Sequence, residues 1–256
     1  MNFLVNHNRR FDAVLFDLGN TLIYFDGDWS KILPQADAAL IFSLLALGLV
    51  FDAGSFLKEF QKRLESYFIL RDAELIEYTT AFILRKLLQD WGFLEIPDRL
   101  ITTALEGHYR VLQAYWKPEV DAIPTLVSLH QRGYRLAIVS NAGDNADVQA
   151  LIDKANIRSY FDLIISSAKA GIRKPNPRIF TDVLDKLGVP PDRAVMVGDT
   201  LSADILGAQN AGVYKIWITR RADKIANSVH IDTIHPDAVI TTLLELPDLL
   251  DILPGE

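Results

Sequence analysis

Short apolar runs that end in Gly, Asp, Asn or Ser recur at the start of this chain and throughout its second half, while the stretch from Trp29 to Trp116 has none. That asymmetry narrows the possible folds more than any single residue does. Phe11 to Phe16 (FDAVLF) reads as a buried strand, as do Arg135 to Val139, Phe161 to Ile165, Ala194 to Val197 and Tyr214 to Ile218, with Ala238 to Ile240 a weaker sixth. Helical stretches separate them: Ile123 to Gln131 closed by Gly133, Asn145 to Ala155, Pro177 to Leu187 closed by Gly188, and Ser202 to Ala211 closed by Gly212. Strands alternating with helices of this length imply an α/β fold, a Rossmann-like parallel sheet with right-handed crossovers and helices on both faces.

The middle of the chain has a different period. Ile32 to Leu49, Gly54 to Phe68, Ala73 to Gly92 and Pro97 to Tyr115 each carry apolar residues at spacings of three and four, the pattern of a four-helix bundle. The bundle interrupts the α/β pattern, so the expected division is an α/β core of residues 1–25 and 117–256 with a helical domain of 26–116 inserted in it. Linkers near Asp26 to Trp29 and Trp116 to Asp121 are expected to act as hinges. Ala38 to Phe51 is apolar except for Ser43 and Gly48, but a membrane span needs about 20 such residues. A buried helix is expected instead, with Ile41, Leu44, Leu45 and Leu49 filling the core of the insertion.

The chain's 256 residues are half hydrophobic and its net charge is -7, with no run of five or more Lys/Arg. These values suit a well-buried core and argue against a nucleic-acid partner. No cysteine is present, which removes disulfides, thiolate metal sites and a thiol nucleophile and suits a reducing cytoplasm. Met1 to Arg10 lacks the apolar stretch of a secretion signal, so a cytoplasmic location with no membrane association is expected.

In an open parallel sheet, ligands bind at the carboxyl ends of the strands. There the first run ends in Asp17-Leu18-Gly19-Asn20-Thr21, the second in Ser140-Asn141, and the fourth in Gly198-Asp199-Thr200, with Asp204 shortly after. Lys174-Pro175 follows the third and precedes a helix. Singly, each has an ordinary use: a turn aspartate, an N-cap, a solvated lysine, a first-turn carboxylate. Taken together, in this order and at these spacings, they resemble the four motifs of the haloacid dehalogenase superfamily across nearly the whole chain. The resemblance implies a sheet order of 5-4-1-2-3 and identifies the helical insertion with the family's cap.

The chemistry points the same way. Asp17, Asp199 and Asp204 in one place require a compensating cation, and an all-oxygen ligand set favours Mg²⁺. With that ion and Lys174 neutralising phosphate charge, Asp17 is placed to attack phosphorus and form an aspartyl phosphate. Ser140, with the backbone N–H of Asn141, is expected to hold phosphate oxygens. The expected substrate is a small phosphorylated metabolite. Tyr24, Trp29, Tyr109, Tyr115 and Trp116 are candidates for its wall.

One position departs from the pattern. Phosphatases of the family carry a second aspartate two residues after the nucleophile, and this chain has Gly19 there. By the resemblance, Gly19 can still give its backbone carbonyl to the metal, but it cannot act as general acid and base, a role typically worth about 10²–10⁴-fold. A slow enzyme or a replacement acid follows, with Asp26 and Asp28 the nearest later carboxylates; good leaving groups, as in acyl or anomeric phosphates, need such an acid less. Three other readings attach to the same anomaly. The first is a metal-free dehalogenase, and the second a phosphonate hydrolase using a cap lysine among Lys31, Lys58, Lys62 and Lys86. The third is a catalytically weak binding or regulatory protein.

Overall fold

The computed structural model describes residues 9–253; most of the N-terminal stretch inspected for a secretion signal, and Pro254 to Glu256, lie outside the described residues. In chain order, β1 (Ala13–Phe16) and β2 (Ile23–Phe25) lead into α1 (Trp29–Ala46), α2 (Ala53–Glu74), α3 (Thr80–Asp90) and α4 (Asp98–Gln113). β3 (Trp116–Pro118), α5 (Ala122–Gln131), β4 (Arg135–Ser140), α6 (Asn145–Lys154), β5 (Leu163–Ser166), α7 (Ser167–Ala170) and α8 (Arg178–Leu187) follow. β6 (Ala194–Gly198) then runs through a π-helical turn, Leu201–Ile205, into α9 (Leu206–Ala211). β7 (Tyr214–Ile218), α10 (Ile225–Ser228), β8 (Ala238–Ile240) and α11 (Leu246–Ile252) complete it.

Six strands form a parallel sheet in the order β5-β4-β1-β6-β7-β8. Counted along the six sequence-predicted strands this is 3-2-1-4-5-6, the expected arrangement with the weak sixth strand added at the edge. β1 is buried along its whole length, and its side chains divide between two hydrophobic layers. Ala13 and Leu15 join Phe180, Val183 and Leu184 of α8; Val14 and Phe16 join Leu126 and Leu129 of α5 and Ile152 of α6. An apolar run without alternation is what a strand covered on both faces requires.

Residues 29–113 are helical and build a separate core from Leu40, Leu44, Phe56, Phe60, Leu84, Leu87 and Leu105, among others. α1 and α4 approach closely at Gly107, where an added Cβ would lie 2.5 Å from Ser43 Oγ. Two expectations fail in this segment. The helix expected over Ala73 to Gly92 is two elements: α2 continues to Glu74, Leu75 turns left-handed at φ 55, and α3 begins after Thr79, whose hydroxyl accepts the Phe82 N–H at 3.1 Å. The break brings residues 75–77 beside 171–173, where Arg173 donates its N–H to Leu75 O and Glu77 donates to Gly171 O, each at 3.1 Å. The apolar stretch of α1 is also not wholly buried. It turns Leu40, Ile41 and Leu44 inward, whereas Phe42 is 74% exposed and Leu45 43%, so Leu45 does not join the core.

No helix among the described residues is long and apolar enough to cross a membrane. The linkers that connect the helical segment to the sheet are themselves ordered. β2 and β3 pair antiparallel with Phe25 opposite Trp116, a two-stranded ribbon too short to show a period in the sequence.

Candidate active site

Asp17 follows the central strand β1, and its N–H bonds to Val197 O of β6 at 2.9 Å, which fixes it at the carboxyl edge of the sheet. The next residues fold back tightly: Leu22 and Ile23 both donate to Leu18 O, and Asn20 sits in the left-handed region at φ 60. Lys174 arrives from the segment after β5. Its ammonium is almost wholly enclosed and donates to Asp17 Oδ1 at 2.7 Å, Asp204 Oδ1 at 2.6 Å and Val139 O at 2.6 Å. All three donor hydrogens are thereby used.

The Asn141 side chain has a different task from ligand binding. Its Oδ1 accepts the Lys174 N–H at 2.9 Å and its Nδ2 donates to Lys174 O at 3.0 Å, so it clamps the backbone that carries the lysine. Ser140 is buried beside it and lines the same cavity as Asp17.

Asp199 and Asp204 come from the end of β6 and the turn after it. The π-helical turn adds a residue to the helical ring and so turns Asp204 back toward the strand end, a device common at functional sites. Gly198 makes room for it: a Cβ there would lie 2.3 Å from Asp204 Cγ. Asp204 Oδ2 accepts the Thr200 N–H at 2.9 Å, while Asp199 is held by Lys224 Nζ at 2.5 Å on Oδ2. The Asp199 carbonyl accepts from Asn227 Nδ2 at 2.8 Å and Trp217 Nε1 at 3.0 Å.

The carboxylates of Asp17, Asp199 and Asp204 each place an oxygen within 4.8 Å of the others, and all three residues are buried. Burial pushes the Asp17 carboxyl up to about 7; Lys174 opposes the shift, and Asp204 and Asp199 add to it. Asp199 is raised by burial and then by Asp204, against Lys224. Lys174 stays charged: burial works against its ammonium, but Asp17 and Asp204 hold it above its ordinary range. Three carboxylates against Lys174 and Lys224 leave one negative charge in excess, and the donors are all hard oxygens. That donor set fits Mg²⁺.

These groups line a cavity of about 420 Å³ with Gly19, Ser140, Trp116 and Asp147. Of the five aromatic candidates, Trp116 walls it, whereas Trp29 and Tyr109 line an adjoining cavity of about 600 Å³ between the helical segment and the core. Tyr115 packs on Phe25, and Tyr24 lies under the Arg221 guanidinium at 3.8 Å. Neither candidate replacement acid lines the cavity of Asp17: Asp26 pairs with Lys117, and Asp28 caps α1 through the Ser30 N–H at 3.0 Å. Lys31, Lys58, Lys62 and Lys86 are all exposed and line neither cavity.

Lys224, Asn227 and Asp147 were not legible as site residues. Lys224 precedes and Asn227 lies within the one-turn helix α10 after β7, too short for any period or motif to mark them; Asp147 looks like any first-turn aspartate.

A family model described as haloacid dehalogenase-like hydrolase matches residues 11–212. A glyceraldehyde 3-phosphate phosphatase of Methanothermobacter thermautotrophicus is 31% identical over 94% of this chain and 99% of its own. Among solved structures, a HAD phosphatase from Thermococcus onnurineus superposes with a TM-score of 0.64 at 29% identity, covering 94% of this chain and 98% of that one. A 2-haloacid dehalogenase from Pseudomonas syringae gives 0.63 at 27% identity with the same coverage. With its sheet order, its four strand-end motifs and these matches in agreement, the chain belongs to the haloacid dehalogenase-like hydrolase family.

Proposed function

We propose that this chain is a Mg²⁺-dependent phosphomonoesterase acting on a small phosphorylated metabolite through an aspartyl phosphate on Asp17. The observation that carries the reading is the burial of Asp17, Lys174, Asp199 and Asp204 around one cavity, with the ammonium of Lys174 on Asp17 Oδ1. Lys174 leaves the second Asp17 oxygen free to attack phosphorus, and its charge draws the phosphoryl group in. Ser140 and the Asn141 N–H hold phosphate oxygens as charge moves onto them. Asp17, Asp199, Asp204 and the Gly19 carbonyl would hold the metal. When bound, Mg²⁺ would neutralise phosphoryl charge and orient the group for in-line attack. On this reading residues 1–25 and 117–256 form the catalytic core and 26–116 a cap over it, with the β2–β3 ribbon as their joint.

The phosphatases named among the relatives support a small phosphate ester as substrate. The dehalogenase reading draws on Gly19 and on the similarity to the Pseudomonas syringae enzyme. It gives no use to the acidic cluster, since displacement at carbon needs no dication. The test is p-nitrophenyl phosphate hydrolysis with Mg²⁺ and with chelator, alongside halide release from 2-haloacids. Metal-dependent nitrophenol release that disappears in Asp17→Asn supports the proposal; halide release without it overturns it.

A further inference from the structure

Cleavage of an alkyl phosphate needs a proton for the departing oxygen, and Gly19 has no side chain to supply one. A Cβ on Gly19 would pack on Trp116, whose Cη2 lies 3.4 Å from it, so a side chain could be accommodated there but none is present. Among the described residues lining this cavity, the cationic groups are Arg71, Arg173, Lys174 and Lys224, and the acidic ones are Asp17, Asp199, Asp204 and Asp147. Only Asp147 is a carboxyl outside the charged cluster.

Asp147 is not the residue that caps its helix. It sits in the first turn of α6, but the cap of that helix is Asp144, whose Oδ1 accepts the Asp147 N–H at 2.9 Å. Gln113, near the end of α4, donates to Asp147 Oδ1 at 2.8 Å and holds it in place. Among the described residues, nothing donates to Oδ2. Val148, Leu151 and Trp116 make the wall beside it apolar. Burial first, and then Asp144, lift its carboxyl to about 6 against the Gln113 hydrogen bond. A proton donor works best when its pKa lies near the working pH.

We propose that Asp147 is the general acid and base of this enzyme, in place of the side chain that Gly19 lacks. The assignment rests on the phosphatase reading above. As an Asp17 oxygen forms its bond to phosphorus, the bond from phosphorus to the leaving oxygen breaks, and that oxygen takes the proton of Asp147. The resulting Asp147 carboxylate then accepts a proton from water while the water oxygen attacks phosphorus. The bond from phosphorus to Asp17 breaks, phosphate leaves, and both aspartates return to their starting states.

The experiment compares single-turnover transfer to Asp17 from p-nitrophenyl phosphate, whose leaving group needs no proton, and from glycerol phosphate, whose leaving group does. Asp147→Asn keeps an acceptor for Gln113 and is expected to slow transfer from glycerol phosphate by about 10²-fold or more, with a far smaller effect on p-nitrophenyl phosphate. Adding Gly19→Asp to that variant restores glycerol phosphate cleavage, and Asp147→Glu retains it. Equal slowing on both substrates, or none on either, overturns the assignment. A wild-type protein inert toward both overturns the phosphatase reading itself.

Discussion

Replacing Lys174 with methionine removes the cation on which the acidic cluster depends. The side chain is 1% exposed, and its ammonium makes contacts of 2.7 Å to Asp17 and 2.6 Å to Asp204. Methionine keeps the packing volume and leaves two buried carboxylates facing each other without their shared donor. Removing one partner of a buried ion pair costs about 3–5 kcal/mol, because the remaining charge stays desolvated. For a chain of this size each kcal/mol moves the melting temperature by roughly 2–4 °C, so Lys174→Met is expected to melt roughly 6–20 °C lower in chelator at neutral pH. Mg²⁺ replaces the missing positive charge and should therefore raise the melting temperature of the variant more than that of wild type. Calorimetric scans of both proteins across a Mg²⁺ titration measure this. A variant that melts with wild type in chelator, or that gains no more from Mg²⁺, would refute the idea that lysine and metal share the neutralisation of one cluster.

Four further outcomes follow from individual contacts. Gly198→Ala places a methyl 2.3 Å from Asp204 Cγ, and overpacking of about 1–3 kcal/mol with loss of phosphatase activity is expected; a fully active variant would show that Asp204 can move without consequence. Lys224→Met frees Asp199 Oδ2 and is expected to tighten Mg²⁺ binding several-fold by titration calorimetry, and weaker binding would contradict the competition. Asn227→Ala leaves the Leu201 N–H without a partner, while Asp199 O keeps Trp217 Nε1 and Ala222 O keeps the Lys224 N–H; one buried donor left unpaired costs about 1–3 kcal/mol, and a melting curve unchanged from wild type would contradict it. Asp147 is raised from 3.8 to about 6, so the native state holds that proton longer than the unfolded chain does. Its contribution to stability therefore falls as pH rises across that window and is constant above it. Asp147→Asn should flatten the melting temperature over the same range, and an identical slope would contradict the burial of that group.

The sheet was legible because its strands are apolar on both faces and its helices end in glycines that take left-handed conformations, such as Gly188 and Gly212. Asp17, Lys174 and the Asp199–Asp204 pair lie far apart in the chain, yet the strand order brings the segments that carry them to one edge. What stayed hidden depends on single contacts. Thr79 caps α3 with one hydrogen bond, and no hydrophobic period announces a helix start there. Hydropathy marks α1 as apolar without telling which face meets the core, so the exposure of Leu45 cannot be read from it. Lys224 reaches Asp199 from an irregular segment, and only the folded chain brings the two together.

The most direct test of the central claim is a rapid acid quench of the wild-type protein turning over a phosphate ester with Mg²⁺, followed by peptide mass spectrometry. One phosphoryl group carried on the peptide containing Asp17, and absent from Asp17→Asn, is the predicted result. Steady hydrolysis by a protein that never carries phosphate on Asp17 would contradict the account.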